Sequence, residues 1–119
     1  MKSVIHLGGA APSTARKAVR GYLRCQPLVV IETAELLTSE LVTNALVHGG
    51  GDTTLVVDVN DRALRVEVID LDPKLDLGPL EVGVTAEHGR GLAIVARLAR
   101  TWGVEPRPQG KAVWFELEL

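Results

Sequence analysis

Ile31, Ala34, Leu37, Leu41 and Ala45 recur at three- and four-residue intervals, with Leu46 beside them, which is the spacing of one face of a helix. This predicts a long helix over 27–48: Pro27 suits its first turn, and Gly49, Gly50 and Gly51 stop it. Upstream, Ala15, Ala18, Val19, Tyr22 and Leu23 predict a shorter helix over 14–24, with Ser13 as N-cap and Arg16, Lys17, Arg20 and Arg24 on a solvated face. The period then falls to two. Residues 53–59 and 63–69 alternate and are rich in β-branched side chains, and Asn60 and Asp61 between them read as a tight turn, so the pair is an antiparallel hairpin. Residues 3–7 predict a short edge strand, 101–105 another, 106–110 a turn, and 111–119 a last strand in which Val113, Phe115, Leu117 and Leu119 alternate. Leu92, Val95, Ala96, Leu98 and Ala99 predict a third helix, opened by the glycine-rich turn at Gly89 and Gly91. Residues 71–88, with two prolines and two glycines, hold no sustained period and read as a loop of a length that usually carries a function.

Helices and hairpins segregated in this way predict an α+β class: one mixed, mostly antiparallel sheet covered on one face by about three helices. The chain has 119 residues, enough for one core and too few for two, so a single domain over 1–119 is expected. Apolar residues make up 46% but aromatics only 3%, so the core must be aliphatic. A net charge of -2 gives no electrostatic footprint for nucleic acid. The single Cys25 and the scattered His6, His48 and His88 do not supply metal-ligand spacing. No stretch is long and apolar enough to span a bilayer and no secretory signal opens the chain, so a cytoplasmic protein without a membrane partner is expected.

Against that background three polar signals stand out. Glu40 and Asn44 are four residues apart, one above the other on a helix: a carboxylate that can act as a base and a neutral oxygen donor. Alone, such a pair is more often a solvated residue and a local cap. Leu36, Leu37, Leu41 and Val47 flank it, which places it at the edge of a buried face. Asp70 ends the second hairpin strand directly before the long loop, a position often held by a turn former. Gly89 and Gly91 stand at a helix start, where free backbone N–H groups and a partial positive charge favour anions. Each supplies something a nucleotide–metal complex needs, and none duplicates another.

In this order the residues resemble the Bergerat-fold ATP-binding domains shared by gyrase and the histidine kinases. Within them the chain is most similar to the small anti-sigma-factor serine kinases. Glu40-Leu41-Val42-Thr43-Asn44 through Gly49 carries the match to the N box, Val68-Ile69-Asp70-Leu71-Asp72-Pro73 to the adenine box, His88-Gly89-Arg90-Gly91-Leu92 to the phosphate box, and Gly110-Lys111-Ala112-Val113-Trp114 to the final strand. The resemblance implies ATP and Mg²⁺ as cofactors. Asn44 would offer its side-chain oxygen to the metal, and Asp70 would accept from the adenine amino group. Gly89, Arg90, Gly91 and Leu92 would cradle the phosphates, residues 71–88 would form the lid, and Glu40 would be the catalytic base. It also implies a protein serine/threonine kinase that phosphorylates an anti-sigma-factor antagonist and sequesters a sigma factor, in a group where a homodimer is usual. The alternative is a module of the same fold that regulates by sequestration alone.

Two departures bear on nucleotide affinity. Asp72 stands where the adenine box commonly has glycine, and Ala112 where many relatives have a threonine that helps to hold the base. His48 reads as a packing residue on the Asn44 face, and Trp102 and Trp114 as core or sheet-edge packing.

Overall fold

The computed structural model describes residues 1–9, 11–48, 52–72 and 87–119, with the side chains of residues 48 and 87–91 outside that description. The elements run β1 (Lys2–Gly8), α1 (Pro12–Tyr22), α2 (Leu28–His48), β2 (Thr53–Val59), β3 (Ala63–Asp70), α3 (Glu87–Leu98), β4 (Thr101–Arg107) and β5 (Gly110–Glu118). The five strands form one sheet in the order β1-β2-β3-β5-β4. Every pairing among the described strands is antiparallel, in line with the mostly antiparallel sheet expected. The class is α+β, as expected.

Alternation decides the layers. In β3, Leu64, Val66, Val68 and Asp70 are buried on one face while Ala63, Arg65, Glu67 and Ile69 are only half-buried on the other. The buried face meets the helices through one aliphatic cluster built from Leu55, Val57, Leu64, Val66, Val68, Val113 and Phe115 of the sheet and Ala15, Val19, Ile31, Ala34, Leu37, Leu41 and Val95 of the helices. At about 25 cal/mol per Å² of apolar surface removed from water, such burial is the main stabilising term. Leu36 and Val47, expected beside the buried face, are 40% and 55% exposed and point outward.

Among the described residues no helix packs on the other sheet face, which is held by charges. Arg65 Nη2 lies 2.9 Å from Glu67 Oε1, and Arg107 Nη2 lies 3.2 Å from Glu67 Oε2. The Arg65 guanidinium also stacks 4.1 Å from the centre of the Trp114 ring. Trp114 thus packs on the sheet surface, whereas Trp102 packs against the core.

Several boundaries move for physical reasons. The first helix starts at Pro12, whose fixed φ is ready for a first turn, so Ala11 is the N-cap and Ser13 lies inside the helix. Two of its basic residues are not merely solvated: Arg20 pairs with Glu35 at 2.8 Å and Arg16 Nη1 donates to Ser39 Oγ at 2.6 Å, tying α1 to α2. Strand β4 runs through Pro106 to Arg107, because an edge strand tolerates a residue without an N–H. The β2–β3 turn is closed by Asn60, whose Oδ1 accepts from the backbone N–H of Arg62 and Ala63 at 2.8 and 2.9 Å.

Candidate functional site

The topology gathers the polar signals at one end of the helix-covered face. Asp70 ends β3 and pairs directly with Lys111 at the start of β5, while Ala63 pairs with Glu118 at the opposite end. The first turn of α2 borders Leu117 and Glu118 through Val29 and Val30, so that helix starts at the far end and runs toward Asp70. Its last residue, His48, is only five positions before Thr53, which opens β2 beside the end of β3. Helix α3 packs along α2, and Leu98 leads within three residues into Thr101, opposite Glu116 at the far end. Its first turn therefore lies about 18 Å away, toward Asp70.

Asn44 is on the last turns of α2 and is 2% exposed, yet neither its Oδ1 nor its Nδ2 has a hydrogen-bond partner. A buried amide without partners costs on the order of 1–3 kcal/mol. An orphaned, uncharged oxygen in a buried position is the kind of donor that a hard divalent cation takes, so Asn44 fits the Mg²⁺ implied by the sequence. Glu40 is half-buried one turn earlier. Leu92 is 2% exposed and belongs to the apolar core, so its side chain anchors α3 and does not present a polar group.

Asp70 is the centre of a buried ionic cluster. Its Oδ1 accepts from Lys111 Nζ at 3.0 Å and from the backbone N–H of Asp72 at 2.9 Å. Lys111 Nζ also lies 3.0 Å from Oδ2, but that oxygen accepts no hydrogen bond: the contact is close and ionic without being directional. An approach at a poor angle leaves a lone pair of Oδ2 unsatisfied. Lys111 Nζ reaches farther to the Asp72 carbonyl oxygen at 3.5 Å and to the Asp72 carboxylate at 3.9 Å. Both side chains of the central pair are essentially inaccessible, at 1% for Lys111 and 0% for Asp70.

This cluster corrects the reading of the final strand. Ala112 stands opposite Ile69, one position out of phase with Asp70, and so belongs to the uncovered face. The residue that faces Asp70 is Lys111, which the sequence reading passed over. A signal existed: Lys111 shares the phase of Val113, Phe115 and Leu117, and a cation on the buried face of a strand needs an anion beside it. Asp72, noted only as a departure from glycine, contributes its backbone N–H and both its oxygen types to the same cluster.

Close approach of the backbone explains Gly110. A Cβ built there would lie 1.8 Å from the Asp70 carbonyl oxygen, so only glycine lets β5 meet β3 at this end. A hollow of about 440 Å³ lies at the same strand ends, lined by residues that include Thr54, Ile69, Asp70, Arg107 and Gln109.

The remaining expectations are placed only in part. Gly89, Arg90 and Gly91 lie within the first turns of α3, which begins at Glu87, so the glycines are inside the helix start and do not precede it. The side chains of His48 and Arg90 lie outside the described residues, as do residues 73–86 of the expected lid and 49–51 of the glycine run. Among the described residues no cluster of His, Cys, Asp and Glu could hold a metal by itself, and no helix is long and apolar enough to cross a membrane.

An uncharacterised protein of Streptomyces coelicolor is 39% identical over 82 residues, covering 66% of this chain and 78% of that protein. The family profile described as "Histidine kinase-like ATPase domain" matches residues 10–117, which spans α1 through β4 and all but the last residue of β5 and includes the Asn44, Asp70 and Lys111 positions. The chain belongs to the histidine kinase-like ATPase domain family.

Proposed function

We propose that this protein binds Mg-ATP between α2, the end of β3 and the start of α3, and transfers its γ-phosphoryl group to a serine or threonine of a partner protein. The observation that carries this reading is the buried Asn44 amide whose two polar atoms lack any partner, one helical turn from a half-buried carboxylate. Such an amide is costly to keep in a fold that does not use it.

In this reading Asn44 Oδ1 would hold the metal, which would supply charge neutralisation at the phosphates, and Asp70 Oδ2 accepts from the base. The first N–H groups of α3 face the phosphates. Glu40 orients the attacking hydroxyl and takes its proton, while the hydroxyl oxygen bonds to the γ-phosphorus and the bond to the ADP oxygen breaks. The partner would be an anti-sigma-factor antagonist, and a sigma factor would be held in the same regulatory circuit. This assignment follows from the likeness of the boxes to the anti-sigma kinases.

A second reading, regulation by sequestration without phosphotransfer, is favoured by one observation: Asp70 is already engaged by a buried cation. Titration of the purified protein with Mg-ATP, followed by phosphotransfer assays on co-purifying proteins, separates the two. Wild type should bind Mg-ATP and phosphorylate a partner. Glu40→Ala should keep binding within about threefold and lose at least about 100-fold in turnover, the range for a general base. Binding without transfer to any co-purifying protein would leave only the sequestration reading.

A further inference from the structure

Lys111 is placed where the base of a nucleotide would be read. It stands directly across from Asp70 on the neighbouring strand, with Nζ 3.0 Å from both carboxylate oxygens. An ammonium group has three N–H donors. Two are directed at Asp70 Oδ1 and at the Asp72 carbonyl oxygen. Asp70 Oδ1 is doubly occupied, by Lys111 and by the Asp72 N–H, while Oδ2 accepts nothing. Oδ2 thus keeps a lone pair without a directional hydrogen bond, although Lys111 Nζ lies 3.0 Å from it, and one ammonium N–H is left without an assigned acceptor, in a pair whose side chains are almost wholly buried.

The six-membered edge of adenine carries the complementary pair in the same order, an amino donor at position 6 and a ring-nitrogen acceptor at position 1. Guanine and hypoxanthine carry the reverse, a carbonyl oxygen and an N–H. We propose that Lys111 is a specificity-determining residue that donates its third N–H to N1 of adenine while Asp70 Oδ2 accepts from the 6-amino group. A base is then read at two adjacent positions by a charged pair. Guanine in the same pose meets two mismatches: carbonyl oxygen against carboxylate, and N–H against ammonium. The inference rests on the reading of this end of the sheet as an ATP site.

The test compares ATP with 1-deaza-ATP, which replaces only the position-1 nitrogen by C–H, in equilibrium binding to the full chain by calorimetry in the presence of Mg²⁺. Wild type should bind the analogue about tenfold or more weakly than ATP, the loss expected for one hydrogen bond from a charged donor. In Lys111→Met that ratio should shrink to within about threefold, whatever the variant does to affinity as a whole. A role for Lys111 confined to holding Asp70 in place would lower both affinities together and leave the ratio unchanged, which overturns the proposal. Equal binding of the two nucleotides by wild type also overturns it, and this arm needs no variant, so a Lys111→Met chain that fails to fold does not protect the idea. Failure of wild type to bind ATP at all would instead remove the nucleotide reading itself.

Discussion

At the scale of single residues, the site is built from groups that a core would not otherwise tolerate. Asn44 has a buried amide with both polar atoms orphaned, so removing it should not harm the fold. Asn44→Ala is expected to leave the stability of the nucleotide-free protein unchanged or raised, by up to about 1–3 kcal/mol of relieved desolvation offset by a small cavity, while abolishing Mg-dependent ATP binding. Thermal denaturation without nucleotide checks the first part, and a drop of more than about 2 kcal/mol would mean that the amide has a structural partner. Lys111 behaves in the opposite way. Lys111→Met strands a buried carboxylate and should cost about 3–5 kcal/mol in urea denaturation, whereas Asp70→Asn combined with Lys111→Met should recover most of that loss. Equal losses for the single and double variants would show that the two side chains are not coupled.

At the scale of elements, the glycines make opposite predictions according to what surrounds them. Gly110→Ala would drive a methyl group into the Asp70 carbonyl, so the β3–β5 ladder must open at the site end. We expect a loss of at least about 2–3 kcal/mol in denaturant midpoint, together with weakened ATP binding. Gly21 lies within α1 with nothing near its absent Cβ, so Gly21→Ala should stabilise by about 0.5–1 kcal/mol and leave binding untouched. The elements themselves were readable, because period and punctuation are local properties. The 27–48 helix ends at His48, and the 53–69 hairpin closes on Asn60, as their residues suggest. Strand register was not readable. Asp70 and Lys111 are separated by 40 intervening positions, and nothing local to either shows that they pair. With that register unknown, the sequence shows Lys111 in phase with Val113 and Phe115 but not that Asp70 lies across from it. Asn44 and Glu40 were legible as a pair because the helix that carries them sets their relation without reference to any other element.

At the scale of the whole molecule, one sheet face belongs to the helices and the other to a lattice of charges. Arg107 Nη1 donates to Glu105 Oε2 at 3.1 Å, and this hydrogen bond holds the Glu105 carboxyl below its ordinary value of 4.5, with Arg65 adding to the effect and burial opposing it. A carboxyl held low in the folded state stabilises above its unfolded value, and that contribution is lost as pH falls through the folded value. The urea midpoint should therefore drop more steeply below about pH 4.5 for wild type than for Glu105→Gln. Parallel profiles for the two proteins would remove the lattice as a source of acid sensitivity.

Strand β4 is an outer strand of the sheet and contains Pro106. A pyrrolidine nitrogen has no hydrogen to offer, so a foreign chain laid along this margin would find a gap in the row of donors it requires. Sheet extension through β4 is thereby disfavoured, and among the described strands β1 is the outer strand left for two copies to join by continuing their sheets.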